Sequence, residues 1–149
     1  MRDNNYRAVE GILYNLPKLR VEIENLKLRI EDAQEVIGIT GASGNEKAGS
    51  STNAFSSVVE NEVLERERTL EKKINIMKKE LNRKEREIKR VENVLNLLSE
   101  REMLIVELRY FKRYSVNRIC ELLDLTTPTF NRRRKEIVTG KLMPILIYK

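Results

Sequence analysis

The most chemically suggestive stretch of the sequence is a run of four bases, from Arg132 to Lys135, preceded by hydroxyl and amide side chains. Hydroxyl, amide and guanidinium groups form the hydrogen bonds that distinguish base pairs, and clustered cations bind phosphate oxygens. The candidates for base contacts are Thr127, Thr129, Asn131 and Arg132; those for phosphate contacts are Arg133, Arg134 and Lys135; Thr126 opens the same segment. These residue types in this order predict a surface that binds duplex DNA. The alternative is an ordinary solvated helix surface.

A helix must present these side chains, and the first of three helix signals lies well upstream of them. Ser99 and Glu102 have the spacing of a capping box, in which the serine caps the helix and the glutamate reaches back to it. The apolar residues that follow predict a helix that ends around 112–114.

Two more helices are expected after that point. Ser115 is placed to cap a helix from Val116 to Leu123, with Ile119, Cys120, Leu122 and Leu123 on its buried side. Thr126 is placed to cap a third helix, which accepts Pro128 in its first turn because an amide donor is not needed there. We expect Gly140 to end this third helix.

Two short helices across a tight turn, the second rich in bases, are typical of a helix-turn-helix whose second helix enters the major groove. Four bases around the preceding turn and helix are secondary candidates for phosphate contacts: Arg109, Lys112, Arg113 and Arg118. Cys120 is expected to be a core residue, since a lone cysteine in an apolar helix stripe behaves as a small hydrophobe.

The N-terminal region has a heptad pattern that predicts helices with one apolar seam. The seam residues are Ile12, Leu16, Leu19, Ile23, Leu26, Ile30, Ala33 and Ile37. Pro17 falls within this pattern, and we therefore expect a short helix that ends near Tyr14 and a longer one over 16–37. Residues 38–57 are rich in Gly, Ser and Asn, which predicts a flexible linker.

A long charged helix is expected over 58–97, with a second seam interrupted at Lys84. In a parallel homodimer this helix would oppose Lys73 to Lys78, Glu80 to Glu85 and Glu87 to Glu92 across the seam, and all three pairs repel. An antiparallel partner is therefore favoured, either the N-terminal helix of the same chain or a second subunit. Because acids and bases alternate along this helix, we interpret its charge as a solvated face.

Composition limits the possible functions. The chain of 149 residues has a formal net charge of +6, which favours a polyanionic partner. It has no histidine and a single cysteine, so no zinc site, disulfide or histidine-dependent catalytic triad is expected within it. We predict a protein without enzymatic activity, catalytic residues, metal or cofactor. The polar N-terminus and the lack of a long apolar run predict a cytoplasmic protein without a membrane partner.

The C-terminal region resembles region 4 of bacterial sigma factors, on the strength of Leu98 to Glu102, Leu108 to Phe111, Ile119 to Leu123 and Thr126 to Arg134. The whole chain resembles the RinA and ArpU-type phage late-gene transcription regulators, which share the leading helix with Tyr14, the linker, the stretch from Val59 to Glu62 and the long charged helix. The resemblance implies a phage or prophage regulator that binds DNA upstream of late genes and acts with host RNA polymerase.

The resulting prediction is an all-α protein, with long coiled-coil-like helices in a helical hairpin followed by a small helix-turn-helix domain at 98–149. Its regions are N-terminal helices at 1–37, a linker at 38–57 and a long helix at 58–97 that can form a homo-oligomer. Two alternatives stay open: a small terminase subunit for DNA packaging, and a structural coiled-coil protein. A packaging subunit would form a large ring, whereas a regulator would be a monomer or dimer.

Overall fold

The computed structural model describes residues 2–44 and 54–148, and within these ranges the chain is helical and contains no strand. The helices are α1 (Arg2–Gly44), α2 (Ala54–Leu95), α3 (Glu100–Val106), α4 (Val116–Leu123), α5 (Thr127–Lys135) and α6 (Met143–Leu146). Wider π-helical turns follow α3 at Glu107–Phe111 and α5 at Glu136–Leu142. The all-α prediction is confirmed. No helix in the described ranges combines the length and the apolar character needed to cross a membrane.

Helix α1 does not break at Pro17, as the sequence led us to expect, but continues through it. A proline inside a helix removes one backbone hydrogen bond and costs about 3 kcal/mol. The residues around it offset that cost, because Val9, Leu13 and Leu16 are almost completely buried, with at most 1% of each exposed. Each fully buried side chain of this kind contributes about 1.5–3 kcal/mol.

The expected linker at 38–57 is helical at both ends. Residues 38–44 continue α1, and residues 54–57 begin α2. The remaining part of that prediction, residues 45–53, lies outside the described residues.

Residues Glu22–Lys84 form one compact unit, which we call the two-helix unit. Its apolar seam consists of Leu26, Ile30 and Ile74, all buried, with Leu70 and Leu81 among the half-buried residues beside them. At one end of the seam, Lys84 Nζ lies 3.0 Å from Glu22 Oε2. An early residue of the unit thus pairs with a late one, as the predicted antiparallel orientation requires. The partner helix belongs to the same chain.

Residues Met1–Val21 and Glu85–Lys149 form a second unit, which we call the composite unit. Its core joins side chains from both ends of the chain, and Leu13, Tyr110, Phe130 and Val138 are each completely buried. This differs from the expected separate domain at 98–149. A segment that short buries little apolar surface by itself, and α1 supplies the missing part of its core.

Helical structure does not end at Gly140, in contrast to the prediction. The chain continues through the π-helical turn into α6. Leu142 and Met143 are buried beyond the glycine, with 0% and 5% exposed. Their burial outweighs the cost of a glycine in a helix, which is about 1 kcal/mol.

Candidate nucleic-acid interface

Helices α4 and α5 are separated by a three-residue turn whose ends are fixed by side-chain caps. Ser115 Oγ accepts a hydrogen bond from the Arg118 amide at 3.2 Å, which starts α4 as predicted. Asp124 ends α4 in the left-handed conformation, with φ 53° and ψ 51°. Asparagine and aspartate tolerate this conformation better than most residues. The turn therefore brings α5 back against α4 within a few residues.

Thr126 caps α5, and its hydroxyl is committed to that role. Its Oγ1 accepts from the Thr129 amide at 3.4 Å and donates to Thr129 Oγ1 at 2.7 Å. Pro128 lies in the first turn of the helix, as expected. Thr126 is exposed, whereas Thr129 is half-buried, and only the remaining hydrogen-bonding capacity of these two hydroxyls is available to a ligand.

One face of α5 is polar and open to solvent. It carries Thr127, Asn131, Arg132 and Lys135, all of them exposed. The segment 125–135 contains four bases and no acid, so nothing within it neutralises this face. Four of the predicted DNA-binding residues are thus together on one helical surface.

Arg134 does not share that face, although the sequence grouped it with the phosphate contacts. It is half-buried, with its guanidinium carbon 5.7 Å from the centre of the Phe130 ring. Its positive charge also acts on Tyr6 of α1, where it opposes the rise in the pKa of that tyrosine. Consecutive helical residues are 100° apart, so four adjacent bases cannot all point outward. Arg134 is on the inner side of α5.

Arg133 takes an intermediate position. It is half-buried and lines a cleft beside Glu102 and Glu136. Lys141 Nζ lies 2.6 Å from Glu102 Oε1, and this hydrogen bond is the main reason why the pKa of Glu102 is below its usual range. Arg133 therefore shares its cleft with two carboxylates of its own chain.

The four secondary candidates for phosphate contacts also differ in exposure and in their contacts. Lys112 and Arg118 are exposed, and the Arg118 guanidinium lies 4.1 Å from the centre of the Tyr114 ring. Arg109 instead donates from Nη1 to the backbone oxygen of Tyr114 at 3.0 Å. Arg113 lies over the Tyr14 ring at 5.3 Å. Lys112, Arg113 and Arg118 are all exposed and remain available to an anion, whereas Arg109 is half-buried and supports the fold.

The predicted core of α4 is correct at Ile119 and Cys120, which are both buried. It is wrong at Leu122, of which 58% is exposed. Leu123 is half-buried and packs against the core of the composite unit. The described residues include no group of three carboxylates or thiols placed to bind a metal ion.

A polar cluster under α5 was missed by sequence reasoning. The Tyr110 hydroxyl donates to Glu10 Oε1 at 2.8 Å, and the Tyr14 and Tyr110 rings meet edge to face with centroids 4.9 Å apart. Burial raises the pKa of Tyr110 well above its usual range, and the Glu10 carboxylate raises it further. Burial also raises the pKa of Tyr6 in the same cluster, against the opposing effect of Arg134. The sequence signal for this cluster is the spacing of Tyr6, Glu10 and Tyr14, which follow one another at intervals of one helical turn.

The chain matches a family described as proteins of unknown function, DUF722, over residues 13–140, and it belongs to that family. Comparison with curated proteins and with solved structures found no match.

Proposed function

We propose that this member of the DUF722 family binds duplex DNA with sequence preference through α5 and regulates transcription. The observation that carries the proposal is the exposed polar face of α5, where Thr127, Asn131, Arg132 and Lys135 occur together. This face belongs to the second of two short helices joined by a tight, capped turn, an arrangement typical of proteins that insert a helix into the major groove.

Each side chain on this face has a defined chemical role in the proposal. Arg132 can donate two hydrogen bonds to guanine O6 and N7, and Asn131 can pair with adenine N6 and N7. Lys135, one turn beyond Asn131, is suited to a phosphate oxygen because it offers a point charge. Lys112 and Arg118 would add phosphate contacts from the preceding turn and helix.

The regulatory role rests on the resemblance of the C-terminal region to region 4 of sigma factors. This resemblance supports the proposal that the protein binds upstream of phage or prophage late genes and acts with host RNA polymerase. The other core regions of a full sigma factor have no counterpart in this sequence. We therefore propose a regulator and not an initiation factor.

The proposal can be tested by selecting bound sequences from a pool of random duplexes and then measuring variants on the selected site. Arg132→Gln should relax the preference at one or two base positions, with a loss of about 1–3 kcal/mol on the selected site. Lys135→Gln should weaken binding to all sequences alike and lower the salt slope by about one unit.

Arg134→Gln is the matched control, because it removes the same charge from the same helix at an inward position. It should change thermal stability more than sequence preference. The proposal would be wrong if the selection yielded no enriched sequence, or if Arg132→Gln bound every duplex as well as the parent chain does.

A further inference from the structure

The outer face of α2 in the two-helix unit carries a stripe of four bases: Arg68, Lys72, Lys79 and Arg83. They are separated by four, seven and four residues, a spacing that returns to the same side of a helix. All four are exposed, whereas the seam residues Ile74 and Leu81 face the opposite side. From its first to its last residue the stripe extends over roughly 22 Å of helix.

The structure separates charges that alternate in the sequence. Between 68 and 83 the other positions of this outer face are Thr69, Asn75, Ile76 and Asn82, and none is acidic. The glutamates of the same stretch, Glu71 and Glu80, flank the stripe. Within the described part of the chain, no carboxylate forms an ion pair with any of the four bases. No ion pair within the described residues thus holds these four side chains.

The two helices of this unit differ strongly in charge. Residues 54–84 of α2 contain eight bases and six acids, whereas residues 22–44 of α1 contain two bases and five acids. A positive surface that is confined to one of the two helices favours a polyanionic partner over an ordinary solvated surface of mixed charge.

We propose that this stripe binds the phosphate backbone of duplex DNA, as a second contact surface in addition to α5. The inference rests on the proposed function, since it assumes that the chain binds duplex DNA. The stripe adds affinity without sequence preference, because phosphates are the same at every base pair. The asparagines between the bases can donate further hydrogen bonds to phosphate and sugar oxygens.

A second copy of this chain fits the surface less well. Ile76 is the only apolar residue on this face between 68 and 83. The centre of a protein interface is depleted of charged residues and enriched in apolar ones, so this face lacks what such an interface requires.

The test compares two triple variants of the full chain that remove the same charges. The stripe variant is Lys72→Gln, Lys79→Gln and Arg83→Gln; the flank variant is Arg66→Gln, Lys73→Gln and Lys78→Gln. Each loses two lysines and one arginine from exposed positions of the same unit. Glutamine is nearly as good a helix former as lysine and arginine, so both variants should keep the parent helicity.

Binding is measured on a random-sequence duplex of about 40 base pairs over a range of salt concentrations. The stripe variant should lower the salt slope by about two to three units, at about 0.9 per phosphate contact, and the flank variant by less than about one unit. A charge-conserving variant, Lys72→Arg, Lys79→Arg and Arg83→Lys, should keep the parent slope. The sequence preference obtained by selection should be the same for all of these proteins.

Equal slopes for the stripe and flank variants, in a parent chain that binds duplex, would overturn this inference and leave the proposed function intact. A parent chain that binds no duplex would overturn both. A stripe variant that changes sedimentation without DNA would identify a second copy as the partner instead. A stripe-dependent preference for single-stranded RNA over duplex would identify RNA.

Discussion

The two units of this protein are stabilised in different ways. The two-helix unit has a narrow seam whose buried cluster consists of Leu26, Ile30 and Ile74. The composite unit has a broad core that includes Tyr110 and Phe130. A seam between two helices is a local pattern repeated every few residues, and the sequence displays it directly. A core assembled from the two ends of the chain leaves no such repeat, because each end contributes only part of it.

The most severe test of this comparison is removal of α1 from the composite unit. A fragment that begins near Val94 contains α3 to α6, and the sequence alone predicts that it folds. The structure predicts that it does not fold cooperatively, because Val9, Leu13 and Leu16 are absent from its core. Circular dichroism and thermal melting would measure this. A sharp melting transition in the fragment would show that the C-terminal helices are independent after all.

Shortening one buried side chain should reduce the free energy of unfolding more in the composite unit than in the two-helix unit. Leu13→Ala should reduce the free energy of unfolding by about 3–5 kcal/mol, since Leu13 is completely buried in a broad core. Leu26→Ala, with 5% exposed in the narrow seam, should cost about 2 kcal/mol, because surrounding residues and water can fill the space.

Leu28→Ala is the control, since 57% of Leu28 is exposed, and it should change stability by less than about 0.5 kcal/mol. Urea titration of the three variants provides the measurement. Equal losses for Leu13 and Leu26 would mean that the two units are packed to the same degree.

Local features were the most predictable part of the fold. Ser99, Ser115 and Thr126 cap the helices assigned to them, and the Ser99 and Glu102 capping box is complete. Such caps depend on residues three apart, so the sequence contains all the information. The antiparallel orientation was also predictable, because edge charges penalise the parallel alternative over several turns.

Features that depend on distant partners were not predictable. Pro17 and Gly140 look like helix ends, yet burial of neighbouring side chains keeps both inside helical structure. Arg134 looks like its basic neighbours, and only the presence of Tyr6 and Phe130 on its side of α5 places it inward. In the candidate site, the sequence predicted that the basic run lies on one helix, as it does in α5, but could not separate its outward bases from its inward ones.

The polar cluster of the composite unit should make stability depend on alkaline pH. The raised pKa of Tyr110 means that the folded protein keeps the phenol proton at pH values where the unfolded chain, with a pKa near 10.0, has released it. The stability that Tyr110 contributes is therefore fully present well below pH 10 and decreases as the pH rises above that value. Tyr110→Phe should make this decrease shallower.

At neutral pH, Tyr110→Phe should cost about 1 kcal/mol, because it removes the hydrogen bond to Glu10. Tyr148→Phe is the control, since 58% of Tyr148 is exposed, and it should retain the alkaline loss of the parent. Thermal melting from pH 8 to about pH 11 is the measurement. An unchanged alkaline slope in Tyr110→Phe would mean that the cluster does not hold its proton.

The smallest expected effect concerns Lys84, the one polar residue that interrupts the seam of the two-helix unit. Its side chain is only 16% exposed, and its ammonium contacts Glu22 at 3.0 Å and Glu80 at 3.7 Å. The Glu22 and Glu80 side chains are 37% and 45% exposed, so water can solvate their carboxylates when the ammonium is removed, and pairs of this kind contribute about 0–1 kcal/mol. Lys84→Met should therefore leave the free energy of unfolding within about 1 kcal/mol of the parent value. Lys84→Ala should be about 1 kcal/mol less stable than Lys84→Met, because it removes the packed aliphatic stem as well as the charge. Added salt should screen these ion pairs and lower the free energy of unfolding of the parent, whereas Lys84→Met should show no such effect at this site. Equal losses for Met and Ala would show that the ion pair, and not the packed stem, stabilises this end of the seam.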